Sequence, residues 1–208
     1  MTVYGYYINT YANEYIFMDE RISQLKLKAD NIDQEIGKTK DSLLIRARNL
    51  VCCLLNEYTL LHTKLVVKLV KERSNDMIDE ITAWLHDIGR AIVEDETHRE
   101  IGAEWAKEWL NNFEISVEEK ERIIDGILNH GTSSSPKTKT GKLLRYVDKL
   151  SVFEEAWLYV LIAHFKRHKK EEKLKKKLEE KLEFIKENGT KDDYEKCKAI
   201  VDEIKKIL

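Results

Sequence analysis

"TAWLHDIGRAIVEDETHREIGAEW", residues 82–105, decides how this chain is read. Ile81, Ala83, Trp84 and Leu85 form an apolar run of helical period that ends on two polar side chains, His86 and Asp87. A further histidine, His98, follows twelve residues after His86. A carboxylate carried inward without a partner costs several kcal/mol if ionised. The placement of Asp87 therefore needs a partner from elsewhere in the chain.

Outward from this stretch, apolar residues recur at helical spacing, and no internal repeat is evident. The pattern predicts an all-α protein with helices at about 14–36, 41–56, 58–73, 76–88, 98–111, 117–130, 141–166, 168–187 and 191–207. Thr97-His98-Arg99-Glu100 and Ser116-Val117-Glu118-Glu119 match the capping box, in which hydroxyl and carboxylate satisfy opposite free amides. Gly131 and Gly189 read as glycines that end helices. The segment "GTSSSPKTKTG", 131–141, holds the single proline and reads as a mobile lid or substrate loop. From about 166 the composition becomes strongly charged. Leu174, Leu178, Leu182 and Ile185, then Tyr194, Cys197, Val201, Ile204 and Leu208, mark a helical hairpin with one apolar edge per helix. The lysines of 169–177 are interrupted by glutamates and read as a solvated face. His164 and His168 read as surface residues.

The inward pattern of His86 and Asp87 recurs at other sites. His62 shares a face with Val66, Leu69 and Val70; His130 follows Ile127 at a helix end; Asp148 lies beside Val147 and four residues after Leu144. His98 opens a helix, where the positive dipole end keeps its ring neutral. Neutral imidazoles and carboxylates together are the ligands of divalent cations, and one or two such ions (Fe, Mn, Zn, Ni, Co or Mg) account for the whole set. A helix end lets the adjacent His86 and Asp87, about 100° apart, converge on one ion. Arg90 can clamp a phosphate through two parallel bonds, and Arg145 lies on the face of Asp148 as a second candidate. Lys137, Lys139, Lys142 and Lys149 add positive charge nearby.

The order His62, His86-Asp87, Asp148 resembles the H…HD…D pattern of the HD-domain superfamily, metal-dependent phosphohydrolases built as helical bundles. "WLHDIGR", "HREIGAEWAKEWL", "ILNHG" and "LLRYVDKL" are similar to that family's blocks, in order, over about residues 41–165. The resemblance implies His62, His86, Asp87 and Asp148 as primary metal ligands. It also implies His98 and His130 as ligands of a second ion, with Asp87 bridging. It divides the chain into an N-terminal extension (1–40), an HD domain (41–165) and the charged hairpin (166–208). Relatives resembling the deoxynucleoside 5′-monophosphatases carry a glutamate three residues after the aspartate; this chain has Arg90 there. That favours the branch with dinucleotide tetraphosphate hydrolases and cyclic-dinucleotide phosphodiesterases. The expectation is a hydrolase of a phosphate ester or anhydride in a nucleotide-like small molecule, with Asp87, Arg90 and Arg145 serving the chemistry. Two other readings stand beside it: a di-iron oxygenase of the myo-inositol oxygenase type, and a non-catalytic metal-binding sensor or scaffold.

Basic and acidic residues nearly cancel, 36 against 38, so no global field draws the chain to long nucleic acid or to a membrane surface. The longest apolar run, "AWLYVLIA", is too short to span a bilayer. Cys52, Cys53 and Cys197 form no CxxC pair or disulfide framework, which predicts a reducing, cytoplasmic setting. Tyr4, Tyr6, Tyr7, Tyr11, Tyr15 and Phe17 make an aromatic start that either packs on the core or covers a homodimer surface.

Overall fold

Side-chain oxygens open successive helices where the apolar period begins. Thr39, Asn56, Asp76, Ser116 and Thr138 each accept a hydrogen bond from an amide two or three residues ahead, satisfying one of the amides a helix start leaves free. The structure, a computed structural model, describes residues 20–29 and 37–207. Residues 20–29 form α1. It is followed by α2 (Lys40–Leu54), α3 (Glu57–Lys71), α4 (Met77–Leu85), α5 (His98–Trp109), α6 (Val117–Asn129), α7 (Lys139–Leu150), α8 (Glu155–Arg167), α9 (Glu171–Asn188) and α10 (Lys191–Ile207). Among the described residues every regular element is helical, as the periodicity predicts. None of these helices is long and apolar enough to cross a membrane. The aromatic start and the ends of the helix expected over 14–36 lie outside the described residues.

The middle position belongs to α4. It packs against α2, α3, α6 and α7, and Ile78, Ile81, Ala83, Trp84 and Leu85 are all buried. A helix with apolar residues around most of its circumference is stable only when surrounded. His86 and Asp87, at its C-terminal end, are thereby delivered to the interior, 0% and 3% exposed. The start of α4 is fixed by a second polar group. Arg122 of α6 donates to Asp76 at 2.6 Å, Asp79 at 3.1 Å and Thr140 at 2.8 Å. Thr140 of α7 and Ser74 each donate to Asp79 at 2.6 Å. This network binds α4, α6 and α7 together on the side away from His86.

Several local expectations need correction. The helix expected over 141–166 is broken between α7 and α8 by a tight turn, Ser151–Phe153, and by extended backbone at Glu154. Ser151 Oγ donates to the carbonyl of Asp148 at 2.8 Å, the local bonding by which serine competes with a continuing helix. Only the capping box at Ser116–Glu119 forms. Thr97 instead donates backbone and hydroxyl to Asp95 Oδ1, at 2.9 and 2.5 Å. Gly131 and Gly189 do stand just past the ends of α6 and α9, but neither takes a positive φ; Lys169, at φ 53°, does so alone among the described residues, where α8 ends. The 131–138 loop, expected to be mobile, is tied down. Asp125 accepts from Lys137 N, Thr138 N and Thr138 Oγ1, and Arg145 donates to the carbonyls of Gly131 and Thr132.

The expected charged hairpin forms. Leu174, Leu178, Ile185, Cys197, Val201 and Ile204 are buried along its seam, and α9 packs on both α7 and α8. Its turn is anchored where Tyr146 donates to Asp193 at 2.6 Å. His164 and His168 are exposed, as expected.

Candidate metal centre

Six side chains from five helices or helix ends meet at one point. His62 comes from the first half of α3, His86 and Asp87 from the end of α4, His98 from the first position of α5, His130 from the end of α6, and Asp148 from α7. They fall into two groups of three, His62–His86–Asp148 and Asp87–His98–His130, with the potential ligand atoms of each group within 4.8 Å of one another.

The rings are held by their outer nitrogens. Nδ1 of His86, His98 and His130 lies 2.8, 2.7 and 2.8 Å from the carbonyls of Ala83, Asp95 and Ile127. A carbonyl only accepts, so each Nδ1 carries the proton and, in the neutral ring, Nε2 turns a bare lone pair inward. His62 Nδ1 meets Ser151 Oγ at 3.3 Å. That hydroxyl spends its hydrogen on the carbonyl of Asp148, so it accepts from His62. The consequence is two facing pairs of acceptors: His62 and His86 Nε2 at 3.3 Å, and His98 and His130 Nε2 at 3.3 Å. Two lone pairs at that distance repel unless a cation lies between them. Burial pushes the His86 pKa down to about 4, which keeps the ring neutral at physiological pH.

Asp87 lies between the groups. Its Oδ1 is 3.0 Å from His98 Nε2 and 3.6 Å from His130 Nε2. Its Oδ2 is 3.5 Å from His86 Nε2 and 3.8 Å from His62 Nε2. Oδ1 is buried with no hydrogen-bond partner, although Arg90 Nε approaches at 3.0 Å without the alignment of one. Asp148 Oδ1 is 3.0 Å from His62 Nε2. Its Oδ2 takes Lys149 Nζ at 2.5 Å, and that lysine also donates to the carbonyl of His130 at 2.6 Å. Burial acts to raise both carboxyl pKa values. Both nevertheless stay well below the ordinary range: the Lys149 ammonium holds Asp148 ionised, and around Asp87 any shared proton resides on an imidazole nitrogen and not on the carboxylate. An orphaned buried carboxylate oxygen, paired bare nitrogens and an all-N/O donor set fit divalent cations.

The turn after Asp87 brings α5 into position. A Cβ on Gly89 would stand 2.0 Å from the carbonyl oxygen of His98 and 2.8 Å from its carbon. Backbone cannot yield as a flexible side chain does, so Gly89→Ala is expected to push the start of α5 outward. Overpacking of this kind costs about 1–3 kcal/mol or more. Urea unfolding should show that loss, accompanied by a weaker hold on metal. Unchanged stability and metal content would count against this close approach.

The centre opens into a cavity of about 310 Å³. Arg90 lines it, with Nη1 donating to the carbonyl of Glu94 at 2.9 Å. Arg145, expected as a second phosphate contact, does not line it; this guanidinium holds the 131–138 loop and lies 4.8 Å over the Phe184 ring. Lys137 and Lys142 are exposed, and Lys139 pairs with Asp76. The lining also includes residues not singled out from the sequence: Tyr58, Trp157, Arg99, Lys177 and Lys181. Lys177 ends the run 169–177 read as a solvated face, and Lys181 lies one turn beyond it. Desolvation lowers both pKa values, that of Lys181 to about 8. A signal existed: at 100° per residue Lys181 falls about 20° from Leu174, against the apolar stripe.

The sequence model of the HD domain family matches residues 59–152, from α3 to the turn after α7. Residues 59–152 match an HD domain. The match lies within the 41–165 span read from the sequence, and it includes all six converging side chains. Over a wider stretch the HD fold is shared with the crystal structure of a predicted HD superfamily hydrolase from an uncultured Thermotogales bacterium. The TM-score is 0.56 at 19% identity, covering 79% of this chain and 90% of that one. No curated protein sequence matches the chain. The α9 lysines lie beyond the matched HD residues.

Proposed function

We propose that this protein is a metal-dependent phosphohydrolase that cleaves a phosphate ester or anhydride in a nucleotide-like small molecule. The observation that carries the reading is the pair of three-ligand groups, each with two bare imidazole nitrogens facing across 3.3 Å and Asp87 between them. Divalent cations held by those residues would supply an activated water near neutral pH and electrostatic stabilisation of the phosphoryl oxygens. The chain's own groups do the rest. Arg90, held by Glu94 and beside Asp87, presents a guanidinium to phosphate oxygens. Lys149 keeps Asp148 ionised and fixed against His62. Tyr58, Val152 and Trp157 form an aromatic and apolar wall, with Tyr58 and Trp157 rings 4.3 Å apart, suited to a base or sugar.

Elemental analysis of the purified protein, joined to a phosphate-release screen over mono-, tri-, cyclic and dinucleotides, tests this. Release is expected with at least one nucleotide and is abolished by chelation. His86→Ala is expected to reduce it by more than the roughly 10–100-fold that loss of an outer partner costs, with the helical circular dichroism retained. Full activity in His86→Ala, or oxygen consumption without phosphate release, overturns the reading.

A further inference from the structure

Five cationic side chains line the cavity: Arg90, Arg99, Lys149, Lys177 and Lys181. Three are already engaged. Lys149 is held by Asp148 and the carbonyl of His130, Arg99 pairs with Glu96 at 2.5 Å, and Arg90 is held by Glu94 and Asp87. The α9 pair is different. Lys181 donates to the neutral hydroxyl of Thr132 at 2.6 Å and makes no ion pair among the described residues. Lys177 makes neither a hydrogen bond nor an ion pair among them, although both lysines are half-buried. Asp148, the carboxylate whose field reaches both, is already committed to His62 and Lys149. Covered cations without a counter-charge are costly, and an anionic ligand removes that cost.

The two lysines are one turn apart on one edge of α9, so both ammonium groups reach the same wall. That wall is not the aromatic one, which comes from Tyr58 of α3 and Trp157 of α8. The burial of Leu174, Leu178 and Ile185 against the bundle fixes the roll of α9 and directs Lys177 and Lys181 into the cavity. We propose that Lys177 and Lys181 form an anion subsite for a second phosphoryl group, so that the preferred substrates carry a chain of two or more phosphates. This rests on the phosphohydrolase reading for its catalytic meaning. The charged hairpin is then part of the substrate site, and it selects length of phosphate chain where the HD residues supply the reacting centre.

Calorimetric titration of the full, metal-containing protein with inorganic tripolyphosphate and with orthophosphate tests the subsite. Tripolyphosphate is expected to bind at least about tenfold tighter than orthophosphate, because it reaches both places. Each charge-assisted bond lost is expected to weaken tripolyphosphate about tenfold, so Lys177→Gln loses about tenfold and Lys177→Gln/Lys181→Gln about 100-fold. Orthophosphate affinity should change by less than about threefold in the same proteins, since it is held at the centre. Lys176→Gln, on the exposed side of α9, should match the unsubstituted chain. Tripolyphosphate affinity retained by both Gln variants, or an equal loss for both ligands, overturns the subsite. Binding is read without turnover. A panel that releases no phosphate therefore sinks the phosphohydrolase reading alone, and phosphate release with unaltered tripolyphosphate affinity sinks the subsite alone.

Discussion

With one ion proposed in each three-ligand group, Asp87→Ala is expected to lower bound metal to at most one ion per chain and to abolish the proposed hydrolysis. The two carboxylate oxygens face different groups: Oδ1 stands 3.0 Å from His98 Nε2, and Oδ2 stands 3.5 Å from His86 Nε2. Removing the carboxylate leaves one group with only His98 and His130, too few donors for a stable site. The other keeps His62, His86 and Asp148 but loses a neighbouring oxygen. His98→Ala and Asp148→Ala are expected to differ from this: each should cost the ion of its own group and spare the other. Stability follows the metal. An ion present at 100 times its dissociation constant adds about 2.7 kcal/mol, or about 5–11 °C in Tm for a chain of this size. Elemental analysis and thermal unfolding, with and without chelator, read both effects. Two ions retained by Asp87→Ala would remove Asp87 from between the groups.

Arg122→Met is expected to be the most destabilising change outside the metal centre. Arg122 satisfies Asp76, Asp79 and Thr140 at once, and Asp79 and Thr140 are only 5% and 1% exposed. Without the guanidinium a buried carboxylate is left uncompensated, which costs about 3–5 kcal/mol, or about 6–20 °C in Tm. Asp79→Leu/Arg122→Met removes both charges together and should cost less than the sum of the single changes, because contacting residues do not add. A full sum would show that the two do not act as a pair. The acid limb carries a further signature. Burial acts to raise the Asp76 pKa, but the bonds from Arg122 and the Ile78 amide outweigh it, and the folded value lies below that of an ordinary carboxylate. The stabilisation from this carboxylate is therefore complete above the unfolded pKa and lost as pH falls through the lower folded one. In Arg122→Met that acid-side loss should shrink.

The gathering of His62, His86, Asp87, His98, His130 and Asp148 was legible before any coordinates. Each lies at an inward position of a helical period or at its end, and buried imidazoles and carboxylates require partners they can find only in each other. The break at Ser151–Glu154 was not legible, because residues 141–166 keep an apolar helical period across it. The turn is set instead by a hydroxyl that bonds the carbonyl of Asp148 and supports His62, and the second of these contacts, between residues distant in sequence, is absent from any local pattern. Arg145 illustrates the opposite error. It shares a face with Asp148 in the helical period, yet the carbonyls of Gly131 and Thr132 draw its guanidinium to the loop.

Residue order alone showed that the chain is helical and that the helix ending at His86-Asp87 delivers a histidine and an aspartate to a shared polar centre. Periodicity and the cost of buried charge act locally, so they can be read residue by residue. Tertiary structure alone decided which cations face that centre. A charged helix such as α9 has nearly the same local energy whichever lysines are covered. Its roll is set by Leu174, Leu178 and Ile185 packing against helices distant in sequence, and that contact turned Lys177 and Lys181 from solvent towards the cavity.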